Sequence, residues 1–168
     1  MQIPDITLIA VTPTLVEALA DQSAFEVRYG VTVGDQLEHI RMIVAMTVAN
    51  AQRKNPPPAY GGYLAADAQT MQLVGCCGFN GGPNDAGEAE IAYGTFPPFE
   101  GRGYAKAMAR ALVHRALDAG APHVIAHTMP EVNASGSILR GAGFVQTGTV
   151  IADPEDGPVW RWELSTNE

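Results

Sequence analysis

A glycine-rich turn between a strand and a long helix is the part of the sequence best suited to bind an anion. Residues 88–95 show the apolar alternation of a strand, and an Ala-rich helix follows the turn. Gly101 and Gly103 permit backbone conformations that other residues avoid, so several N–H groups can point at one spot. The helix dipole adds roughly half a positive charge there. These features predict a site for a phosphate-bearing ligand.

Basic side chains near the turn support the same prediction. Arg102, Lys106 and Arg110 are spaced i, i+4 and i+8, so they share one helix face. Two common nucleotide motifs do not fit: Lys106 stands where a dinucleotide fingerprint needs its third glycine or alanine, and the sequence contains no Gly-Lys-Ser/Thr. On spacing alone, an ordinary turn with a solvated basic face explains the pattern equally well.

The elements that position this turn are strands and helices in mixed order. Strands are predicted at 6–10, 60–66, 71–79, 88–95, 124–129, 144–151 and 159–164. Helices are predicted at 13–20 with Thr12 as cap, at 34–51 with Asp35 as cap, after the glycine-rich turn as far as Gly120, and at 133–142. Residues 21–33 are expected to be irregular.

Three of the strands should form a meander, because 60–66, 71–79 and 88–95 follow one another through turns. The strand at 124–129 comes after a helical crossover and should lie parallel to the last of these. The order predicts one domain over residues 1–168 of the α/β (α+β) class. Its sheet should be mixed and mostly antiparallel, with six to seven strands, one central parallel crossover and about four flanking helices. Ligands of such sheets bind beyond the carboxyl ends of the strands, where the glycine-rich turn lies.

Composition restricts the class of protein. The 168 residues carry 18 acidic and 10 basic side chains, a net charge of −8, which disfavours nucleic acid as a partner. No transmembrane run or secretory signal is visible, so we expect no membrane association and a cytoplasmic location. Cys76 and Cys77 are adjacent on a predicted strand and are expected to be reduced packing residues, not a disulfide, a metal pair or a nucleophile.

Three segments together resemble the GNAT-type N-acetyltransferases, and most of all the branch with the ribosomal-protein alanine acetyltransferases. Residues 100–105, EGRGYA, correspond to the family's cofactor signature Gln/Arg-x-x-Gly-x-Gly/Ala. The preceding GEAEIAYGTFPPF resembles the family's fourth strand and its exit. HTMPEVNASGSILRGAGF resembles the branch's Pro-x-x-Asn-Ala-Ser loop and the helix that ends in Gly-Phe. The first half of the chain matches only in its order of elements.

The resemblance implies an enzyme that transfers the acetyl group of acetyl-CoA by direct attack of a primary amine, without a metal. The amine would belong to a small molecule or a peptide N-terminus. In the family, amides of the signature loop hold the diphosphate, and a bulge parts the fourth strand from the fifth so that the pantetheine arm can pair with the open edge. Family habit favours a homodimer. The residues implied to bind the cofactor are Tyr93, Gly94, Thr95, Gly101, Arg102, Gly103, Tyr104, Ala105, Lys106 and Asn133.

Proton transfer points to three candidate catalytic residues. An alkylammonium must lose a proton before it attacks, so a base is needed. Glu90 is the first candidate, because its strand position points toward the acceptor side. His127 is the second, because some family members have a catalytic glutamate at its position. Ser135 can donate a hydrogen bond to the departing thiolate, since Leu139 occupies the position of the family's tyrosine.

Each of these assignments has an alternative. Glu90 can be a surface glutamate, His127 a structural histidine, and Asn133 or Ser135 a helix cap. Glu100 departs from the family's Gln or Arg, which together with the missing tyrosine keeps other functions open. One is a noncatalytic acyl-CoA-sensing or amine-binding module on the same fold. Another is a glycine loop that binds a different phosphorylated ligand.

Overall fold

The computed structural model describes residues 2–164 and places helices on both faces of a seven-stranded sheet. The strands are β1 (Ile6–Ala10), β2 (Gly62–Asp67), β3 (Leu73–Phe79), β4 (Glu88–Thr95), β5 (His123–Thr128), β6 (Phe144–Val150) and β7 (Val159–Leu164). The helices are α1 (Pro13–Ala18), α2 (Gln22–Tyr29), α3 (Leu37–Lys54), α4 (Tyr104–Asp118) and α5 (Ala134–Gly141). None of these helices is long and apolar enough to cross a membrane.

The strand order is β1-β2-β3-β4-β5-β7-β6, and β4 with β5 is the one parallel pair among the described strands. This confirms the predicted meander of β2, β3 and β4 and the parallel crossover through α4. The last two strands form a hairpin, with β7 between β5 and β6. The mixed, mostly antiparallel sheet therefore agrees with the prediction from sequence.

The sheet separates two apolar layers. Because alternate residues of a strand face opposite sides, Ala65 of β2 belongs to the layer under α4, whereas its neighbour Leu64 belongs to the layer under α3. Met108, Leu112 and Trp162 are fully buried in the α4 layer. The fully buried members of the α3 layer include Leu15, Phe25, Ile40 and Val44. Residues of β3 belong to both layers, whereas the buried β4 residues Ala89 and Ile91 belong to the α4 layer alone. Within the described part of the chain, the other face of β4 is left without a packed layer.

Helix α2 occupies part of the segment that was expected to be irregular. The Asp21 carboxylate caps it by accepting a hydrogen bond from the Ala24 amide at 3.1 Å, and Gly30 ends it with a φ of 65°. Phe25 is its one buried residue. The prediction was wrong because one buried side chain leaves little apolar periodicity to detect. This helix also brings the number of described helices to five instead of about four.

The ends of α3 differ from the prediction as well. Thr12 caps α1 as predicted, with the Leu15 amide 3.1 Å from its hydroxyl. Asp35, in contrast, lies inside a single 3-10 turn, and α3 begins after it at Leu37 without a side-chain cap. At its other end, the helix continues past the predicted stop to Lys54. This last turn carries a side chain that contacts the site described next.

Candidate active site

Strands β4 and β5 pair over three residues and then separate. Their parallel register ends with Glu90 opposite Ile125, after which β5 continues to pair with β7. Pairing of β4 with β3 is continuous up to Thr95, without the register shift that a bulge would cause. The two strands therefore separate because their directions diverge. The bulge that the family resemblance implies is not seen in the pairing of β4 with β3. Residues 93–95 keep an edge that faces the gap.

The gap holds a cavity of about 140 Å³ between the diverging strands and α5. Tyr93, His127 and Ser135 meet there, together with the buried Leu139. The Tyr93 hydroxyl donates a long hydrogen bond, 3.5 Å, to the Ser135 carbonyl. Burial raises the pKa of Tyr93 to about 12, so its hydroxyl keeps the proton and can donate it at neutral pH.

The glycine-rich turn follows the carboxyl end of β4, as predicted. Gly101 and Gly103 have φ values of 76° and 90°, and Gly103 is the N-cap of α4. The amides of residues 101–106 donate to no backbone acceptor among residues 2–164. The Ala107 amide is the first to bond back, to the Gly103 carbonyl at 3.1 Å. Adjacent donors at the positive end of α4 are therefore available to an anion.

The side chains of this turn have separate contacts. Tyr104 donates its hydroxyl to Asp67 at 2.6 Å, which holds the start of α4 against the end of β2. Arg102 is exposed. The Lys106 ammonium lies beside α5, where a Cβ added at Gly141 would be 3.1 Å from Nζ. The turn thus offers an anion mainly its backbone amides.

Asn133 is the N-cap of α5. Its side-chain oxygen accepts a hydrogen bond from the Gly136 amide at 3.1 Å, which confirms the helix-cap alternative for this residue. Ser135 lies inside the helix, so the same alternative is wrong for Ser135. The amide nitrogen of Asn133 is not used by the cap, and its contact with a cofactor stays a prediction.

A larger cleft, of about 390 Å³, lies on the α3 face of the sheet. No large side chain rises from the sheet into this cleft, because the direct cross-strand neighbours Gly62, Gly78 and Ala92 of β2, β3 and β4 form its floor. A Cβ at Gly62 would collide with Thr47 of α3, and one at Gly78 would stand 2.7 Å from the Gly62 Cα. The wall contributed by α3 consists of Thr47, Asn50, Ala51 and Lys54. This cleft has the size of a small-molecule site.

Glu90 lines both the cleft and the gap. Its Oε1 lies 2.7 Å from Nδ1 of His127, and its Oε2 accepts a hydrogen bond from Nδ2 of Asn80 at 3.0 Å. Asn80 in turn accepts one from Nζ of Lys54 at 2.5 Å. An ionised carboxylate only accepts, so the proton of the first contact is assigned to Nδ1, and Nε2 of His127 keeps a free lone pair. The two candidate bases thus belong to one hydrogen-bonded chain.

Sequence reasoning selected Glu90 and His127 but missed Asn80 and Lys54. Asn80 lies in the turn-like stretch NGGPNDAG, and Lys54 lies beyond the predicted end of its helix. A usable signal was the hairpin register, because pairing Phe79 with Ile91 places Asn80 opposite Glu90. The Lys54 contact had no comparable signal.

Cys76 and Cys77 are free thiols, as predicted. Burial raises the pKa of Cys77 to about 12 and also raises the pKa of Cys76, which lines the cleft. Both thiols therefore stay protonated near neutral pH and are poor nucleophiles. Within residues 2–164, no group of three or more His, Cys, Asp or Glu side chains is placed to hold a metal ion.

Several solved acetyltransferases share this fold. A microcin self-immunity acetyltransferase in complex with acetyl-CoA and AMP is 14% identical, with a TM-score of 0.64 over 95% of this chain and 91% of its own. A Salmonella typhimurium acetyltransferase that modifies the N-terminal serine of a 50S ribosomal subunit protein is 20% identical, with a TM-score of 0.65 over 96% and 95%. A spermidine N-acetyltransferase chimera from Vibrio cholerae and hSSAT is 15% identical, with a TM-score of 0.59 over 95% and 94%. No protein of curated function matches the sequence.

The sequence also matches the profile of a protein family, described as an acetyltransferase (GNAT) domain. The match covers residues 5–145, which is most of the chain. This range contains the glycine-rich turn, the gap and the cleft. It confirms the resemblance noted from the sequence segments, and the chain therefore belongs to the GNAT acetyltransferase family.

Proposed function

We propose that this protein is an acetyl-CoA-dependent N-acetyltransferase that acts on a primary amine of a small molecule or a peptide N-terminus by direct attack in a ternary complex. The observation that carries the proposal is the position of the Glu90 and His127 pair, where the gap between β4 and β5 opens into the cleft. A thioester in the gap and an amine in the cleft would meet beside this pair. Membership of the family supports acetyl-CoA as the donor.

Acetyl-CoA fits the features that surround the gap. The diphosphate would bind the amides of residues 101–106, with the exposed Arg102 able to add a side-chain contact. The amides of the pantetheine arm would pair with the open edge of residues 93–95. Asn133 has its Nδ2 group left to donate to the same arm. These contacts would bring the thioester next to Tyr93 and Glu90.

We assign the base to His127 and an orienting role to Glu90. Both carboxylate oxygens of Glu90 already accept hydrogen bonds, and the one from Nδ1 of His127 fixes the orientation of the imidazole ring. Nε2 is then free to take a proton from the acceptor ammonium, and imidazole is suited to this role near neutral pH. This assignment reverses the order given by the sequence analysis, in which Glu90 was the first candidate base and His127 the second.

The leaving group has two hydrogen-bond donors near it. After the ammonium loses one proton to His127, the amine nitrogen bonds to the acetyl carbon, the C–S bond breaks, and the second proton passes from nitrogen to the departing thiolate. Tyr93 would donate a hydrogen bond to that sulfur in place of the tyrosine that Leu139 replaces, and the Ser135 hydroxyl would add another. A thiol of pKa about 8.5 needs no stronger acid to leave.

A thiol-release assay with purified protein, acetyl-CoA and a panel of amines and peptides tests the function. We expect turnover, and we expect His127→Gln to lower kcat about 100-fold. The matched control is His114→Gln, an exposed histidine of α4, which should leave the rate unchanged. CoA binding without turnover of any amine would support the sensor alternative, and absence of CoA binding would support another phosphorylated ligand.

Location and assembly complete the proposal. A cytoplasmic location stays an expectation from the sequence. A homodimer is expected from the family resemblance. Sedimentation of the purified protein would test the homodimer, and a single monomeric species across micromolar concentrations would contradict it.

A further inference from the structure

The α3 wall of the cleft presents hydrogen-bond donors. Asn50 and Lys54 are four residues apart on α3, so their side chains share one face, and both line the cleft. The Asn50 oxygen accepts a hydrogen bond from Arg53 at 2.8 Å, which leaves its Nδ2 group to donate into the cleft. One ammonium proton of Lys54 bonds to Asn80, and two remain. An anionic group on a bound molecule would find donors here.

The lining of the cleft carries one charged side chain of each sign. Among the residues that line it, Lys54 is the one cation and Glu90 the one acid, joined through the Asn80 side chain. The rest of the lining is formed mostly by small or apolar residues, with Tyr60 and Phe79 in edge-to-face contact at 5.2 Å. A molecule that fits this pattern carries a cationic group, an anionic group and a compact apolar part.

We propose that the acetyl acceptor is a small amine that also bears a carboxylate, of the type of an apolar α-amino acid, with the carboxylate bound by Lys54 and Asn50. This inference rests on the proposed N-acetyltransferase function and names its substrate class. The amine would lie beside His127, and the carboxylate would bind at the donors of α3. The apolar side chain would contact the walls of a cleft whose volume, about 390 Å³, suits a molecule of this size.

The same arrangement disfavours two other acceptors. A polyamine needs several acidic side chains, yet Glu90 is the one acid in the lining and already has two partners, while Lys54 would repel a second ammonium group. A peptide N-terminus has an amide where the amino acid has a carboxylate. It therefore gains less from a cation at this point.

Steady-state kinetics with leucine, leucinamide, isopentylamine and spermidine test the inference. We compare the wild type with Lys54→Met for each acceptor, because the ratio of kcat/KM values cancels differences in amine basicity. Lys54→Met should lower kcat/KM for leucine about tenfold more than that for isopentylamine, a difference equivalent to about 1.4 kcal/mol. Lys54→Arg should restore part of the loss. Arg28→Met removes the same charge from an exposed site on α2 and should change nothing.

Two results would overturn the inference alone. An equal loss with leucine and isopentylamine would mean that Lys54 acts only on Glu90 through Asn80. A wild-type enzyme that acetylates spermidine or leucinamide well, with a rate insensitive to Lys54→Met, would place a different acceptor in the cleft. If the wild type acetylates none of the four amines and no peptide, the proposed function itself fails, and the acceptor assignment fails with it.

Discussion

At the scale of single residues, the hydrogen bonds of Glu90 decide what its neighbours can do. With Oε1 on His127 and Oε2 on Asn80, the carboxylate contacts two side chains at once, and in the proposed mechanism it orients the His127 ring. Both Glu90 and His127 were recognisable from the sequence, but their contact was not. They are 37 positions apart, and only the register of β4 against β5 brings them together.

A double-mutant cycle tests whether Glu90 acts through His127. His127→Gln should lower kcat about 100-fold and Glu90→Gln about tenfold. The double variant should be no slower than His127→Gln, because residues that act as a unit give non-additive losses. Single-turnover rates with saturating acetyl-CoA are the measurement. A double variant about 1,000-fold slower, the product of the two single losses, would contradict the assignment.

Removal of single hydroxyls separates the roles of two tyrosines. If Tyr93 donates to the leaving sulfur as proposed, Tyr93→Phe should lower kcat about tenfold with little change in KM for acetyl-CoA. Tyr104→Phe breaks the 2.6 Å bond to Asp67 at the start of α4, and should raise KM for acetyl-CoA with little change in kcat. Initial-rate kinetics of both variants measure the split. The same pattern in both would show that Tyr93 only positions the cofactor.

At the scale of elements, the glycine-rich turn was predictable because its conformation depends on local chemistry. Positive φ at Gly101 and Gly103 and the free amides that follow are consequences of residues close in sequence. Helix α2 was missed although Asp21 and Gly30 are ordinary cap residues, since its position is maintained mainly by the burial of Phe25. Local signals predict how an element begins and ends, whereas tertiary packing decides whether a weakly periodic segment is a helix.

Alanine at the two glycines of the turn should have unequal effects. A Cβ at Gly101 meets no heavy atom within 4 Å, so Gly101→Ala adds only backbone strain, about 1 kcal/mol. A Cβ at Gly103 would also stand 3.0 Å from Pro4, so Gly103→Ala should cost about 2 kcal/mol and weaken CoA binding more. Urea unfolding and calorimetric titration with CoA measure both effects. Equal losses of stability would show that the contact with Pro4 is readily relieved.

At the scale of the whole molecule, the site exists because the sheet has two parts that meet along a short seam. Strands β1 to β4 form one part and β5, β7 and β6 the other, and within residues 2–164 the strand pairing between the two parts is limited to residues 88–90 and 123–125. The seven strands and the parallel crossover followed from the sequence pattern. The length of the seam did not, because it depends on where the twist of the two parts carries the strands out of hydrogen-bond range.

An ion pair across this seam should make stability depend on acid pH. Arg161 of β7 bonds to Glu88 of β4, and this hydrogen bond, with one from Asn84, lowers the pKa of Glu88. The folded protein then binds fewer protons than the unfolded chain, so the contribution of this ion pair to stability is present above the ordinary glutamate pKa of about 4.3 and is lost as pH falls below it.

Glu88→Gln should therefore cost about 1 kcal/mol at pH 7 and less at pH 3.5. Urea unfolding at both pH values measures this, with the exposed Glu131→Gln as control. Equal costs at the two pH values would show that Glu88 stabilises the seam without its charge.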